Sequence, residues 1–236
     1  MLDAYLQQFN QLIQAPSSPI PLIAAADATA YINIARLQVA SEGECVRAMG
    51  ALTFASGTQA YQIGTIAPSG LGTGGIADAI SVRLGMLEGN ELDIRPWEYF
   101  WPYYLSAGPG TPIHVGQQGQ GQLGTLYFSP IPNAALTAVF DAAWLPDALA
   151  VDADPEAIPY PWTDAVPFYA AWLGMQSVQR QADADMMMQR YEVLMRRARG
   201  ESTPSVLPGN LPGDIGAKLA AAKTSLTQAV QSQGGR

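Results

Sequence analysis

Few side chains of this chain are of the kinds that catalysis uses most. Its 236 residues include one histidine, His114, and one cysteine, Cys45. A histidine can activate a thiol as a nucleophile when the two meet, but Cys45 lies on a predicted strand beside Glu44, and no local motif indicates such a pair. One histidine and one cysteine do not supply a zinc ligand set, and a single cysteine forms no internal disulfide. We therefore expect no enzyme activity and interpret the two as a buried thiol and a strand histidine.

Two other segments contain residue types that bind ligands elsewhere. Residues 70–75 read GLGTGG and match the G-x-G-x-x-G turn, which binds pyrophosphate when it links a strand to a helix. Here a strand-like pattern follows, so we interpret the segment as a hairpin loop. The residues Asp152, Asp154 and Glu156 resemble an acidic cation loop, but Pro155 interrupts the calcium-loop pattern. We expect neither a cofactor nor a metal.

Six aromatic residues crowd into eight positions: Trp97, Tyr99, Phe100, Trp101, Tyr103 and Tyr104. Aromatic side chains at this density can pack a core, anchor a protein interface, or stack on a saccharide or base. All three interpretations stay open from the sequence. Within the set, we take Trp97, Tyr99, Trp101 and Tyr103 as candidate interface residues.

The charge is low and uneven. Charged residues make up 14% of the chain, against about 25% in typical domains. Residues 1–160 contain 14 acidic and 4 basic residues, whereas residues 161–236 contain 6 acidic and 8 basic ones. An acidic body does not bind nucleic acid by counterion release, but it can line a passage through which DNA slides, because like charges repel. The acids can equally serve solubility alone.

The N-terminus, MLDAYLQQF, lacks the basic and apolar regions of a signal peptide. No apolar run approaches the ~18 residues of a membrane span. We expect synthesis in the cytoplasm and no membrane partner.

Two helices are predicted at the start, over residues 2–14 and 28–42. In the first, apolar residues recur with helical spacing, and three prolines within 16–21 end it. In the second, Asp27 suits the N-cap and Gly43 the stop.

From Glu44 the apolar pattern changes to a period of two, which is typical of strands. Leu52 to Ile63, LTFASGTQAYQI, predicts a hairpin with its turn at Ser56-Gly57 and a return strand over 61–66. A short helix is expected to begin at Pro96, since proline is favoured at the first helical position. Further strands are predicted near residues 80–86, 112–117, 122–128 and 134–144, with turns at Gly89-Asn90 and at residues 130–133.

One long helix is predicted over Thr163–Arg199, with Thr163 as its cap, Gly174 as a bend and Gly200 as its stop. Its expected continuous apolar face comprises Phe168, Trp172, Met175, Ala182, Met186 and Val193. Residues 201–216, rich in proline and glycine, predict an extended arm, and a last helix is expected over 217–230.

Together these elements predict an α+β fold: a helical bundle with one long helix in the C-terminal half, an inserted and mostly antiparallel β-domain, and an extended C-terminal arm. The predicted parts are residues 1–43 for the first bundle helices, 44–145 for the β-rich insertion, 146–200 for the linker and long helix, and 201–236 for the arm and terminal helix.

Three segments resemble the head-to-tail adaptor, or connector, proteins of short-tailed bacteriophages. They are the predicted hairpin LTFASGTQAYQI, the helix start at 159–171 (PYPWTDAVPFYAA), and the arginine-ended helix with its following STPSVLPGNLPG. The resemblance covers most of residues 28–213. None of its motifs is catalytic, and the expected helix at 217–230 has no counterpart in it.

The resemblance implies a non-enzymatic structural protein of the virion. Such adaptors form a ring of typically twelve copies at the head–tail junction, beneath the portal protein. The ring continues the channel through which genomic DNA passes without sequence-specific binding, and it gives tail or nozzle proteins a platform. The implied candidate contacts with the portal or between subunits are Arg196, Arg197, Arg199, Pro204, Val206, Leu207, Pro208, Leu211 and Pro212. The aromatic candidates named above become tail-side or subunit contacts, and the alternative is a tail or baseplate module that binds a saccharide or receptor through residues 96–104.

Overall fold

A computed structural model describes residues 1–13, 23–70 and 74–202 of the chain. In this structure the described part is an α+β protein, which confirms the predicted fold class. Its α-helices are α1 (Leu2–Leu12), α2 (Ala25–Gly43), α3 (Trp97–Leu105), α4 (Val166–Ser177) and α5 (Gln181–Ser202). Among them, no helix is both long and apolar enough to cross a membrane.

Eight of the strands form one curled sheet in the order β2-β8-β7-β5-β4-β10-β1-β3. The strands are β1 (Arg47–Thr53), β2 (Ala60–Gln62), β3 (Ala67–Pro68), β4 (Ile76–Leu87), β5 (Asn90–Pro96), β6 (Pro109–Gly110), β7 (His114–Gln118), β8 (Thr125–Ser129), β9 (Ile131–Pro132) and β10 (Thr137–Pro146). All neighbours in this sheet are antiparallel except β5 and β7, which α3 connects as a parallel crossover. The two-residue strands β6 and β9 pair separately.

The helices α1, α2 and α4 pack together because each contributes apolar residues to a shared core. In α1 the buried residues Leu2, Tyr5 and Phe9 follow helical spacing, as the sequence predicts. Gly174 lies inside α4, where Ile23 and, from α1, Phe9 approach its backbone. A Cβ atom there would lie 2.7 Å from Ile23 Cδ1 and 3.0 Å from Phe9 Cζ, so Gly174 permits this close packing. The helical run breaks after Ser177 and not at Gly174.

Both predicted ends of α2 need correction. The helix begins at Ala25 with Ala24 as its N-cap residue, so Asp27 lies in the first turn, where its charge suits the helix dipole. The left-handed residue after the helix is Glu44, with φ of 44°, and not Gly43. Gly43 instead lets Trp162 approach, since a Cβ atom there would lie 2.5 Å from the indole ring.

The hairpin predicted for residues 52–63 does not form. The two strands of that segment are β1 and β2, and they belong to different parts of the sheet. β1 pairs with β10 and β3, whereas β2 pairs with β8. The turn at Ser56-Gly57 exists, but it carries the chain from one region of the sheet to another.

The strand predicted near 80–86 is the centre of β4, which pairs along its length with β10 and forms a hairpin with β5. The turn of that hairpin is at Glu88 and Gly89, with φ of 51° and 83°, one residue before the predicted position. Two positive φ values are typical of the tight turns that match strand twist. Pro96 is both the last residue of β5 and the N-cap residue of α3.

The long helix predicted over 163–199 is two helices. Trp162–Ala165, which includes the expected cap Thr163, forms a 3-10 turn before α4. The chain then breaks between α4 and α5, where Gln179 has φ of 60°. α5 continues to Ser202, so Gly200 does not end it.

The break rotates α5 relative to α4 about the helix axis. The residues predicted to form one continuous apolar face therefore do not lie on one face. Met175 is buried, whereas Ala182, Met186 and Val193 of α5 face solvent. The buried residues of α5 are instead Ala184, Tyr191, Leu194, Met195 and Ala198. The expected arm (201–216) and last helix (217–230) lie outside the described residues beyond Ser202, and the four predicted chain divisions stay predictions.

Candidate interaction surfaces

The aromatic cluster of α3 lies on β7 and β8. Phe100 is fully buried, and its ring occupies the space that a side chain at Gly116 would need, since a Cβ atom there would overlap the ring. This glycine of β7 therefore lets α3 sit close to the sheet. The ring of Trp97 lies 4.5 Å from that of Tyr127, measured between centroids.

The four candidate aromatic residues divide into two roles. Trp97 and Tyr103 are half-buried and pack α3 against the sheet. Tyr99 and Trp101 are 68% and 46% exposed. Only the second pair is available to a partner in the structure, so core packing and a candidate interface coexist in one short helix.

A polar network beneath Tyr103 was missed in the sequence. Asp93 Oδ2 lies 2.5 Å from Arg95 Nε and 3.0 Å from His114 Nδ1, and Arg95 Nη1 donates to the Tyr103 hydroxyl at 2.8 Å. The hydrogen bond from Arg95, together with that from His114, lowers the pKa of Asp93. Parallel pairing sets Asp93 beside His114, and no local sequence pattern shows which strands become neighbours.

Asp93, His114 and Ser129 lie side by side on the adjacent strands β5, β7 and β8, because Ser129 pairs with His114. These are the residue types of a serine catalytic triad. The Ser129 side chain is buried, and its hydroxyl donates to the Tyr103 carbonyl oxygen at 3.1 Å. A nucleophilic serine needs its hydroxyl bonded to the base and open to substrate. The arrangement therefore holds α3 on the sheet and lacks the geometry of a nucleophilic site.

Cys45 and His114 belong to separate regions of the structure. Cys45 precedes β1, and three strands separate β1 from the β7 strand of His114 in the sheet. Burial raises the pKa of the Cys45 thiol to about 12, which keeps it protonated and weakly nucleophilic at neutral pH.

Each acid of the 152–156 segment has its own protein partner. Asp152 Oδ1 binds the N-terminal amino group at 2.5 Å, and Asp154 Oδ2 accepts from the backbone N–H groups of Ala150 and Val151. Within the described ranges, no three His, Cys, Asp or Glu side chains group so as to hold a metal. After the glycine-rich loop, of which residues 71–73 are outside the described part, the chain enters β4 and not a helix.

Glu156 forms a buried ion pair with Arg36 of α2. The side chains are 6% and 1% exposed, and Arg36 Nη2 lies 2.9 Å from Glu156 Oε1. Arg36 Nη1 also donates to the Asp147 carbonyl oxygen at 2.5 Å, and Asn33 exchanges two hydrogen bonds with the backbone of Leu149. These bonds fix the chain after β10 against α2.

The outer face of the central strands exposes three large apolar side chains. Strand register places Met49 and Leu84 on either side of Asp141, and Ala51 and Met86 on either side of Val139. Met49, Leu84 and Met86 are all exposed large apolar side chains. The charge of Asp141 is paired with Arg47 of β1.

Two helices also present apolar residues to solvent. On α2, Ile34 and Leu37 are 47% and 41% exposed, and on α5, Met186 and Val193 are 56% and 45% exposed. Exposed apolar residues in contiguous groups mark interaction sites more often than scattered single ones do.

Of the residues implied as portal or subunit contacts, three lie on α5. Arg196 and Arg199 are exposed, and Arg197 is an exposed residue that lines a groove of about 390 Å³ with Gln11, Asp164 and Phe168. Arg196 Nε donates to the Glu192 carbonyl oxygen at 3.3 Å. Pro204, Val206, Leu207, Pro208, Leu211 and Pro212 lie outside the described residues.

No protein-family model matches the chain, and no curated protein sequence matches it either.

Proposed function

We propose that this chain is a structural protein of a bacteriophage virion that forms a ring-shaped head-to-tail adaptor beneath the portal. The resemblance of residues 52–63 and 158–213 to such adaptors motivates the proposal. In this role the ring continues the DNA channel, contacts the portal on one side, and receives tail or nozzle proteins on the other.

The observation that carries the proposal is the number of exposed apolar faces on one chain. The outer sheet face, α2 and α5 each present at least two large apolar side chains to solvent. A subunit of a closed ring needs two different lateral surfaces, and a stacked ring needs further surfaces above and below. The separate apolar faces of this chain supply surfaces for such contacts.

The acidic residues 1–160 suit a passage for DNA. With 14 acidic and 4 basic residues in that range, the protein repels phosphates and lets them move past. We expect the channel wall of the assembly to be acidic, and a basic wall would contradict this part of the proposal.

The test is to mix the purified full-length chain with portal rings from the same source and to image the product by negative-stain electron microscopy. The proposal predicts an added layer of density on one end of the portal, with the symmetry of the portal. Folded protein that leaves intact portals bare would contradict it. Trp101→Ala separates the two roles implied for the aromatic surface: the same layer is expected if Trp101 is a tail-side contact, and loss of the layer if it is a subunit contact.

An alternative function is a tail or baseplate module that binds a saccharide or receptor. It rests on the exposure of Tyr99 and Trp101 beside the other rings of α3. Replacing both residues by Ala would then abolish binding to host-cell surface glycan and leave incorporation into virions unchanged. Loss of incorporation instead, with no change in glycan binding, would exclude this alternative.

A further inference from the structure

Two helices of this chain present outward stripes of equal length. The residues of each stripe are exposed and lie away from the face that their helix buries, which on α2 includes Ile32, Ala35 and Val39. Each stripe covers about 21 Å at ~1.5 Å per residue. The α2 stripe consists of Asp27, Ala30, Ile34, Leu37 and Ser41, and the α5 stripe consists of Ala182, Met186, Gln189, Val193 and Arg196.

The spacing of the two stripes matches when the helices run antiparallel. From Asp27 to Ser41 the steps are three, four, three and four residues, and the same steps lead backwards from Arg196 to Ala182. Both series follow the i, i+3 or i+4 rule that aligns side chains along one side of a helix. The residues of both stripes therefore lie outside the core of the chain, and the spacing of three, four, three and four residues is the same in both.

This antiparallel register brings complementary side chains together. It sets Leu37 opposite Met186, which joins the two apolar residues near one end. It also sets Ala30 opposite Val193, so that a small residue faces a large one, and Ile34 opposite the aliphatic part of Gln189. Ridges of one helix pack into grooves of another in this way.

The charges at the matching ends of the stripes are opposite. Asp27 lies in the first turn of α2, and Arg196 lies near the end of α5. Neither has an ion-pair partner within the described residues, although Arg196 Nε donates to the Glu192 carbonyl oxygen. The antiparallel register sets the two charges opposite each other, and it brings the positive end of one helix dipole beside the negative end of the other.

Two other acids near the stripes have hydrogen bonds within the chain, whereas Glu192, beside Val193, is exposed and, within the described residues, contacts Arg196 only through its backbone carbonyl oxygen. Glu42, beyond the C-terminal end of the α2 stripe, accepts from the Tyr191 hydroxyl at 2.7 Å. Asp185, beside the α5 stripe, accepts from Gln181 Nε2 at 2.8 Å. By contrast, the apolar sheet face carries the internally paired Arg47 and Asp141 and offers no charge to a stripe.

We propose that the α2 stripe of one copy packs antiparallel against the α5 stripe of the next copy. The inference rests on the proposed adaptor function for its ring geometry. Because the two surfaces differ, the contact is heterologous, and repeated contacts of this kind close into a ring when the rotation between copies permits. The apolar centres exclude water, and the Asp27–Arg196 pair fixes the direction of the helices.

A single helix pair covers less surface than the ~1,600 Å² of a standard interface. The contact alone therefore predicts weak association in solution. Copies that a portal holds side by side form it readily, because the effective concentration is then high.

Charge reversal tests the contact. Asp27→Arg and, separately, Arg196→Asp should each lower loading onto portal rings about tenfold, since each variant sets like charges against each other across the interface. Combining the two substitutions restores an opposite pair and should restore loading. Loss in both single variants without recovery in the double variant would contradict the pairing.

Two controls distinguish loss of the proposed contact from loss of folding. Thermal unfolding of each variant checks that the chain is folded, and recovery of loading in the double variant cannot result from misfolding. Asp3→Arg is the matched control, because Asp3 is an exposed acid in the first turn of α1, as Asp27 is in the first turn of α2. The control variant should load normally.

Cysteine cross-linking tests the register directly. Leu37→Cys in one preparation is mixed with Met186→Cys in another, at pH 8 with portal present and dissolved oxygen as the oxidant, and Ala30→Cys is mixed with Val193→Cys in the same way. The proposal predicts 37–186 and 30–193 dimers. It predicts no 37–37 dimers, because the contact is heterologous. It also predicts no 30–186 dimers when those two variants are mixed, because residues 30 and 37 lie about 10 Å apart along the helix at ~1.5 Å per residue. The native thiol does not compete, because the pKa of Cys45 is raised to about 12.

The outcomes separate this inference from the proposed function. If the wild-type chain loads onto portals, unchanged loading of both reversal variants without cross-links overturns the inference and leaves the adaptor function standing. If the wild-type chain does not load, the adaptor function fails, and cross-linking of the same variants at high protein concentration without portal decides the contact. The same cross-links would support it as self-association, and their absence would overturn it.

Discussion

Each face of α2 departs in one respect from the usual distribution of side chains. The inward face buries the guanidinium of Arg36, which is 1% exposed, among Ile32, Ala35 and Val39. The outward face exposes Ile34 and Leu37. A surface helix normally buries its apolar residues and exposes its charges. In the proposed assembly a second copy covers the exposed Ile34 and Leu37.

We interpret the two faces as having different roles: the inward face stabilises the fold, and the outward face makes the proposed contact with a second copy. Inside the molecule, Arg36 pairs with Glu156 and binds the Asp147 carbonyl oxygen, which locks the connector after β10 onto the bundle. Outside, Ile34 and Leu37 are 47% and 41% exposed, and substitutions at such surface positions are expected to change stability little. Stability and assembly should therefore respond to substitutions on opposite faces, and substitutions along α2 can separate them.

The largest loss of stability is expected from Glu156→Ala, which removes the partner of Arg36 on the inward face of α2. Glu156→Ala leaves Arg36 charged and buried without its partner, and breaking a buried pair in this way costs about 3–5 kcal/mol. Urea unfolding should show a lower midpoint with an unchanged slope. A loss below about 1 kcal/mol would mean that water or another carboxylate replaces Glu156 and that the pair does not fix the connector.

Ile32→Ala and Ile34→Ala form a matched pair across the helix. The first removes buried volume and should lower the free energy of unfolding by about 2–5 kcal/mol. The second removes an exposed side chain and should change it by less than about 0.5 kcal/mol, while reducing loading onto portal rings. Equal loss of stability in the two variants would show that Ile34 is covered within the single chain.

A smaller loss in the free energy of unfolding is expected from Tyr191→Phe. The Tyr191 hydroxyl donates to Glu42 Oε2 at 2.7 Å and so links α5 to the end of α2. Removing a hydrogen bond to a charged group should cost about 1.5–3 kcal/mol at most, and less where water can replace it. Unfolding by urea measures the change, and a variant as stable as the wild type would show that this hydrogen bond does not stabilise the fold.

The smallest effect is a pH dependence of the surface network under α3. The folded pKa of Asp93 is lowered by Arg95 and His114, so this carboxyl stabilises the fold above its unfolded pKa of about 3.9. That contribution is lost as pH falls through the lower folded value. Comparing acid unfolding of the wild type with Asp93→Asn should show a slightly shallower fall below about pH 4 for the variant. Identical acid profiles would mean that the network does not stabilise the fold.

The spacing of apolar residues predicted helices and strands well where the element buries one of its faces. α1, the core of β4, and α3 all lie near their expected positions, because their apolar spacing reflects the packing of each segment by itself. The fold class followed from the order of these segments. Strand partners did not follow, because the pairing of β1 with β10 and of β2 with β8 joins residues far apart in the chain.

The break before α5 was also not predictable, because the sequence there has no helix-breaking residue. Residues 175–185 contain no glycine or proline, and the positive φ falls on Gln179. Continuing the helical phase through that point placed Met186 and Val193 on one apolar face with Met175, whereas Met175 is buried and the other two are exposed. The burial of Arg36 was equally unpredictable, since arginine is mostly exposed unless paired and its partner Glu156 is 120 residues away.

The most direct test of the central claim is a cryo-electron microscopy map of the full-length chain bound to portal rings. The account predicts a ring with the portal's symmetry, an acidic channel wall, and α2 of each copy against α5 of its neighbour, with Ile34, Leu37, Met186 and Val193 buried. Copies that bind singly, or a ring in which these four side chains remain in solvent, would contradict it.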